Sequence, residues 1–366
     1  MSRDSEIAEK QRRVDTFLDR GGYDALLLGR LENLSWFGCG ADCHVNLAQE
    51  AGVGALLLRP DRKTLITNNV ERPRLLEEEL AGQGFDDDAT PWAEDALAPA
   101  VARLAPGERI AADISLPGVT ACPDQIAPLR YSLTPEEVDR CRAVGAEVGA
   151  AIEAACLDVQ PGMTEHEAAA ALAGQHFRRG LTPIVVLVAT DERLLKYRHP
   201  IPTDNTIERT VMLVVCARRY GLVVSATRIV SFGPVSAELR KKHDAVAQVD
   251  AAFIAATQTG ARIGDVFKAG LDAYAAQGFA DEWKLHHQGG PAGYLAREYR
   301  ATMSTDDEVL PNQAFAWNPS IAGTKSEDTI IATADGPEII SASPGFPTVE
   351  ASAGGLTLKR ADILVR

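Results

Sequence analysis

Two pairs of helices, each followed by strand-rich sequence, dominate the chain after about residue 134. Helix starts at Thr134 and Thr164 indicate the first pair, because each threonine can cap a helix and a glutamate three residues later can bond back to the cap amide. Predicted strands follow over residues 211–232, and helices over 236–258 and 264–278 repeat the pattern. This duplication predicts a mixed α+β domain built from two similar halves.

The sequence before this region predicts a separate, smaller domain. A helix is expected over residues 6–20, a buried strand over 25–29 and a hairpin over 55–67. Helices that alternate with strands in this way are typical of an α/β domain. We therefore divide the chain into an N-terminal domain, residues 1–131, and a C-terminal domain, residues 132–366.

Charge and composition narrow the range of partners. Of the 366 residues, 46% are hydrophobic and 24% are charged, as in ordinary globular proteins. The formal net charge is −14 and no basic stripe is present, which argues against a nucleic acid or an anionic membrane as partner. A small molecule or another protein fits better. Since the chain has no long apolar run and no secretory pattern at its start, the expected location is the cytoplasm.

One loop in the C-terminal domain combines adjacent histidines with several glycines. It runs from His286 to Glu298 and contains Gly290 and Arg297. Five further segments also have recognisable spacing: Pro161 to Glu167, His199 to Asp204, Ser225 to Arg228, Phe315 to Pro319, and Ser326 to Thr329. Through these segments and the loop the chain resembles the creatinase, prolidase and methionine aminopeptidase superfamily. In the corresponding catalytic loop of that superfamily, histidines stand at the positions of Gly290 and Arg297, and the first of them is a metal ligand. The resemblance implies a C-terminal pita-bread domain and a smaller, creatinase-like α/β domain at the N-terminus.

The resemblance also implies five metal-ligand positions, which in this chain are Val214, Ser225, Gly290, Asn318 and Glu327. Two dications need several anionic oxygens as ligands, and here only Glu327 supplies them. We therefore expect neither a dinuclear centre nor another cofactor. His286 and His287 are not expected to help, because neighbouring side chains on a strand point to opposite faces. A single metal held by another combination, such as Cys216 with a histidine, stays open.

Three residues are the candidates for catalysis. At the position of His199 the resemblance implies a histidine that bonds the substrate and, in creatinase, carries a proton. Imidazole suits this role because its pKa lies near neutrality. Glu327 and Glu298 are the carboxylates at motif positions. A buried Glu327 would either act as an acid with a raised pKa or pair with a cation such as Arg297.

The predicted substrate-binding residues are of two kinds. Arginine and lysine side chains where the family has anionic ligands indicate a substrate with a carboxylate, since guanidinium binds carboxylate through two parallel hydrogen bonds. These cations are Arg297, Arg228 and Lys325. Polar or aromatic groups that could orient a small ligand, with loop packing as their alternative role, are His287, Gln288, Tyr294, Asn318 and Cys216.

The function that this sequence favours is metal-independent cleavage of a C–N bond by a hydrolase, with a lyase as the other reaction type that fits. The substrate would be a small carboxylate-bearing amide, amidine or ureido compound, and His199 would carry the proton. Two alternatives remain: a pita-bread protein that binds a ligand without catalysis, and an unusual metallopeptidase of the aminopeptidase P or prolidase kind. The resemblance further implies a homodimer in which the N-terminal domain of one subunit closes the active site of the other.

Overall fold

The computed structural model describes residues 3–94 and 96–366, and the chain divides into two compact units, Met1–Glu137 and Val138–Arg366. The helices of the first unit are α1 (Arg3–Gly21), α2 (Leu31–Phe37), α3 (Arg72–Arg74), α4 (Leu97–Leu104) and α5 (Pro123–Ile126), with a π-helical turn at Leu75–Glu79 and a 3-10 turn at Ala127–Arg130. Its strands are β1 (Ala25–Arg30), β2 (Ala51–Leu58), β3 (Lys63–Asn68), β4 (Asp86–Thr90), β5 (Ile110–Ala112) and β6 (Thr120–Ala121).

These six strands form one mixed sheet in the order β4-β3-β2-β1-β5-β6. The predicted hairpin is present as the antiparallel pair β2 and β3, and β1 pairs antiparallel with β2 but parallel with β5. Alternate apolar side chains such as Leu27, Leu57 and Ile66 share one core cluster with Val101 of α4. The first unit is therefore the α/β domain that the sequence predicts.

The second unit contains α6 (Pro135–Asp158, whose first turn belongs to the first unit), α7 (Glu165–Phe177), α8 (Glu192–Lys196), α9 (Ala237–Ala256), α10 (Ile263–Ala276) and a 3-10 turn at Glu282–Leu285. Its longer strands are β7 (Thr182–Thr190), β8 (Thr210–Arg219), β9 (Leu222–Ser231), β10 (Gly289–Ala292), β11 (Gln313–Trp317) and β14 (Asp328–Thr333). The shorter or peripheral strands are β12 (Ser320–Ile321), β13 (Thr324–Lys325), β15 (Gly336–Ile339), β16 (Thr348–Ala353), β17 (Leu356–Ala361) and β18 (Ile363–Val365).

The predicted duplication is confirmed. Helices α6 and α7 precede the antiparallel strands β7-β8-β9, and α9 and α10 precede the antiparallel strands β10-β11-β14. The two halves join where β9 pairs with β14, with Ala226 opposite Asp328. The capping box at Thr164 is present, with the Glu167 carboxylate bonded to the cap amide. The result is one eight-stranded sheet with a helix pair for each half.

Aromatic packing fixes the second half against its helices. The rings of Phe253 on α9 and Trp317 on β11 stack with centroids 4.7 Å apart, and both side chains are fully buried. The indole N–H of Trp317 donates to Thr257 Oγ1 at 2.9 Å, so this buried donor is satisfied. The end of β11, where Asn318 follows Trp317, is therefore held rigidly.

The segment before β10 differs from the sequence-based expectation. Residues 286–288 form a bend and irregular backbone instead of a strand, and β10 begins only at Gly289. The alternation of side chains that a strand imposes is therefore absent at His286 and His287. Among the described residues, no helix combines the length and the apolar character needed to cross a bilayer.

Candidate functional site

A buried carboxylate between two cations lies at the centre of the second unit's sheet. Glu327 is 3% exposed and directly precedes β14. Its Oε1 accepts a hydrogen bond from Arg297 at 2.9 Å, and its Oε2 accepts one from Lys325 Nζ at 2.6 Å. Thr227 Oγ1 also donates to Oε2, at 2.7 Å. Each carboxylate oxygen therefore has its own cationic partner.

The ionisation of Glu327 follows from these contacts. Burial alone would raise the pKa of its carboxyl, but Lys325 and Arg297 outweigh burial and lower the pKa to about 2. Of the two roles predicted for a buried Glu327, the structure therefore supports the ion pair and not the acid. At neutral pH the group is a carboxylate with two fixed counter-ions.

The residues at the five metal-ligand positions do not fit a dinuclear metal centre. Lys325 and Arg297 already occupy the two oxygens of Glu327, which is the one anionic residue of the set. Gly290 has φ 147°, and a Cβ there would lie 2.9 Å from both Ala301 N and Tyr299 O. A histidine could not replace this glycine without moving the backbone. The cations Lys325 and Arg297, and a backbone at Gly290 with no room for a side chain, thus lie where the family's metal ligands would be.

The guanidinium of Arg297 makes its hydrogen bonds to other residues of the protein. Besides Glu327, its guanidinium donates to Ser225 Oγ at 3.2 Å and to Asn318 Oδ1 at 3.1 Å. Within the described part of the chain only its Nε lacks a partner. The sequence predicts Arg297 as a clamp for a substrate carboxylate, whereas the carboxylate that it holds in the structure is that of Glu327.

Three histidines from two separate segments form a cluster beside the charge group, which consists of Glu327, Lys325 and Arg297. The ring centroids of His199 lie 4.9 Å from His286 and 5.4 Å from His287, and those of His286 and His287 are 4.8 Å apart. The expectation that only one of the two adjacent histidines could face the site is therefore wrong. The reason is the irregular backbone before β10, which lets both rings turn to the same side.

The hydrogen bonds of the cluster define which nitrogens carry protons. Asn318 Oδ1 accepts from Arg297, so its Nδ2 is the group that donates to His286 Nε2 at 3.2 Å. The remaining proton of neutral His286 is then on Nδ1, which donates to Ser320 Oγ at 3.0 Å. His199 Nε2, 3.1 Å from His286 Nε2, must be a donor too. The lone pair of His199 is therefore on Nδ1.

The surroundings keep these imidazoles neutral. Burial, and then the charge of Lys325, lower the pKa of His286 to about 2 and lower that of His199 as well. For His287 burial acts together with Arg297 and Arg300 and lowers the pKa to about 4. A neutral imidazole can accept a proton, and the cluster is in that form at neutral pH.

Glu165 positions the turn that carries His199, and sequence reasoning missed it. Its Oε2 accepts hydrogen bonds from the backbone N–H of Thr203 at 2.9 Å and from Thr203 Oγ1 at 2.7 Å. Its Oε1 accepts from Thr190 N at 2.9 Å, and Arg193 pairs with the carboxylate. The signal was the glutamate next to the Thr164 cap, in a motif interpreted only as a helix start.

Gln288, Tyr294 and Glu298 support the loop itself. Gln288 accepts from Tyr274 OH at 2.9 Å and donates to His286 O at 2.6 Å, so its amide is used on both sides. Glu298 Oε1 accepts from the backbone N–H of Tyr294 at 3.2 Å, and Tyr294 is 2% exposed. These contacts hold the loop backbone in place beside the histidines.

Arg228 and Cys216 complete the set of residues predicted for the site. Arg228 points to the opposite face of β9 from Thr227, where its Nη2 donates to Asp328 Oδ1 at 2.9 Å. The structure therefore does not bring Arg228 to the histidine cluster. Cys216 lies beside Ser225, whose hydroxyl donates to its Sγ at 3.2 Å. Burial and the charge of Glu327 raise the pKa of this thiol, which makes it a poor nucleophile.

Comparison with known proteins places this geometry in a family. An uncharacterized peptidase of Staphylococcus haemolyticus (strain JCSC1435) is 28% identical over 121 residues, which span 31% of this chain and 34% of that relative. The match thus covers about a third of the relative's length.

Solved structures resemble nearly the whole chain. The prolidase from Pyrococcus horikoshii OT3 has a TM-score of 0.76 at 18% identity and covers 91% of this chain and 98% of its own. Dipeptidase PepE from Mycobacterium ulcerans has a TM-score of 0.75 at 18% identity, covering 100% and 99%. At these identities the likeness confirms the pita-bread fold with its N-terminal domain.

The decisive match is to a family model. The model described as metallopeptidase family M24 matches residues 139–334, more than half of the chain and the whole region of the candidate site. It agrees with the superfamily that the sequence motifs indicate. This chain belongs to metallopeptidase family M24.

Proposed function

We propose that this protein hydrolyses a C–N bond in a small carboxylate-bearing amide, amidine or ureido compound, with His199 as the proton carrier and without a dinuclear metal centre. Membership in a peptidase family supports hydrolysis in general. The observation that carries the finer proposal is the replacement of metal contacts at Glu327 by Lys325 and Arg297, beside a neutral and exposed His199.

The proposed reaction uses the lone pair on His199 Nδ1. Water attacks the carbon of the C–N bond while Nδ1 takes one proton from that water. The same proton then passes to the leaving nitrogen as the C–N bond breaks. His286 supports this cycle because its Nε2 accepts the Nε2–H of His199 and so keeps the lone pair on Nδ1.

Lys325 and Arg297 fit a second part of the reaction. Negative charge develops on the substrate as water adds, and fixed positive charges stabilise such a transition state without reorganising. The net charge of the group formed by Glu327 and its two counter-ions is positive. Water activation by hydrogen bonds alone is weaker than activation by a metal, so this electrostatic contribution is needed.

Arg300 is the better candidate for binding the substrate's carboxylate. It is exposed and lies close enough to the cluster to affect His199 and His287. Within residues 3–94 and 96–366 its side chain makes no hydrogen bond or ion pair, in contrast to Arg297. A guanidinium that is not already paired can bind a substrate carboxylate with two hydrogen bonds.

We expect Arg300→Ala to raise KM by about 10- to 100-fold and to leave kcat largely unchanged, because a charge-assisted bond to the substrate is lost in ground and transition states alike. Steady-state kinetics on the substrate found by screening would measure this. Arg178→Ala, which removes an exposed arginine on α7's C-terminal side, is the matched control. An unchanged KM in Arg300→Ala would move the carboxylate-binding role elsewhere.

Activity should survive removal of metal. Dialysis against a strong chelator, followed by elemental analysis, should give protein that keeps its full turnover, because no step needs a dinuclear centre. Screening small carboxylate-bearing amides, amidines and ureas for ligand-dependent thermal stabilisation would supply the substrate. Activity that disappears on chelation and returns with two metal equivalents per chain would contradict the proposal and favour the metallopeptidase alternative.

The homodimer is also part of the proposal, since the superfamily resemblance implies it. Light scattering at micromolar concentration should give twice the mass of the 366-residue chain. A monomeric mass from protein that still binds its ligand would contradict this.

One observation favours the second candidate function, ligand binding without catalysis. Arg297 bonds both Asn318 and Glu327, and the Gln288 amide bonds Tyr274 and His286. Few of the predicted polar groups are therefore open to a substrate. A ligand that stabilises the protein and is recovered unchanged after long incubation would support this function.

A further inference from the structure

The histidine cluster has a second property besides proton transfer. One ring nitrogen from each of His199, His286 and His287 lies within 4.8 Å of the corresponding nitrogens of the other two. We infer that these three imidazoles bind a single dication of the borderline class, such as Zn²⁺, Ni²⁺, Co²⁺ or Cu²⁺. None of the three residues belongs to the five ligand positions of the family, so this is a separate site with a different donor set.

The spacing of the nitrogens fits one ion. In a tetrahedral site, zinc–nitrogen bonds of about 2.0–2.1 Å place neighbouring ligand nitrogens about 3.3–3.4 Å apart. The Nε2 atoms of His199 and His286 are 3.1 Å apart, which is close to this separation. His287 must approach by about 1.5 Å at most to complete the set. Its Nδ1 is buried and has no hydrogen-bond partner in the described part of the chain, so that nitrogen gives up no bond.

The surrounding contacts orient the central ligand. His286 Nδ1–H donates to Ser320 Oγ at 3.0 Å, and this bond directs the Nε2 lone pair into the cluster, as such bonds do in metal sites. Asn318 Nδ2 competes for the same lone pair, at 3.2 Å. When an ion displaces it, Nδ2 keeps its other acceptor, His287 O at 3.1 Å. Asn318 Nδ2 therefore keeps one of its two hydrogen bonds after the exchange.

Charge and donor type select the kind of ion. Three neutral imidazoles add no negative charge, and Lys325, Arg297 and Arg300 are near enough to act on the same rings. Mg²⁺ and Ca²⁺ need anionic oxygens and are therefore disfavoured, whereas imidazole suits Zn²⁺, Cu²⁺ and Ni²⁺. The nearby positive charges favour an anion, such as hydroxide or a carboxylate, as the fourth ligand.

A bound ion would also stop proton transfer. The ion binds His199 Nε2 in place of its one proton, that proton moves to Nδ1, and the lone pair on Nδ1 is lost. This consequence rests on the proposed function, whereas metal binding itself does not. Binding of Zn²⁺ and inhibition by Zn²⁺ can therefore be tested separately.

The test uses full-length, chelator-treated protein, titrated with ZnCl₂ in a calorimeter and with Cu²⁺ for electron paramagnetic resonance. We expect one ion per chain and nitrogen hyperfine splitting from imidazole ligands. Binding should be at least about tenfold weaker in His286→Gln and in His287→Gln, since each loses one ligand. It should be unchanged in His44→Gln, a matched control at a histidine of the first unit. Circular dichroism checks that each variant is folded.

The outcomes separate the two proposals. If His286→Gln does not fold, His287→Gln and the Cu²⁺ spectrum of the unmodified protein still decide the question. Wild-type affinity in the His287→Gln variant, loss of binding in His44→Gln, or no Zn²⁺ binding at millimolar concentration would overturn the site. Stoichiometric Zn²⁺ binding in a protein that cleaves no C–N bond, with or without chelator, would leave the metal site standing and remove the proposed function.

Discussion

Replacing Lys325 by methionine should lower the free energy of unfolding by about 3 to 5 kcal/mol, because it breaks a buried ion pair and leaves its partner without full compensation. Lys325 is 5% exposed and its Nζ lies 2.6 Å from Glu327 Oε2. Methionine keeps the length and packing of the lysine stem, so the change removes mainly the charge. Urea unfolding, followed by circular dichroism, measures the difference.

The chain offers a matched control, a lysine–carboxylate pair with the same N–O distance but with exposed side chains. Lys284 Nζ lies 2.6 Å from Asp281 Oδ1, but the two side chains are 59% and 86% exposed. Solvent screens such a pair, and Lys284→Met should therefore change the unfolding free energy by about 0 to 1 kcal/mol. Equal effects of the two substitutions would show that Glu327 does not depend on Lys325, and the account of this site as a fixed internal charge group would fail.

The architecture was predictable because its signals are local. A threonine cap with a glutamate three residues later defines a helix start on its own, and the duplicated helix pairs then imply two similar halves. The hairpin of β8 and β9 is equally local, since Tyr220 and Gly221, with φ 56° and 72°, form the two-residue turn that such strands need. These features do not depend on distant partners.

The site was less predictable because its properties depend on distant contacts. The sequence identifies Arg297 as a cation. It does not show that the guanidinium pairs with Glu327, 30 positions further on. It identifies His286 and His287 as neighbours, but the side to which each ring turns depends on where β10 begins. The role of Glu165 depends on Thr203, 38 positions away. Long-range pairing of this kind has no periodic signal in the chain.

Substitutions in the charge group and in the histidine cluster should reduce activity for different reasons. A variant such as Lys325→Met should lose stability and activity together, because it removes a charge from the buried ion pair with Glu327. His199 is exposed and lies at the edge of that group. Its removal should therefore separate catalysis from folding.

His199→Ala should lower kcat by about 10²- to 10⁴-fold, the usual contribution of a positioned acid or base, while the melting temperature stays close to that of the unmodified protein. The loss should appear in kcat more than in KM, since His199 acts on the proton and not on the substrate's carboxylate. Steady-state kinetics and thermal unfolding of the same samples measure both. His166→Ala, at an exposed histidine on α7, is the matched control and should retain full turnover.

The pH profile provides a readout that a structural role would not change. Burial and Lys325 lower the pKa of His199 below its ordinary value of 6.5, so the imidazole is neutral at pH 7 and becomes protonated only as the pH falls through that lowered pKa. Activity that needs the neutral base should therefore be constant around pH 7 and decline only as the pH falls through that lowered pKa. In His199→Ala the residual activity should lack this acidic decline. If the variant keeps both the turnover and the acidic limb of the unmodified protein, another group carries the proton, and His199 is left with its hydrogen bond to His286 as a structural contact.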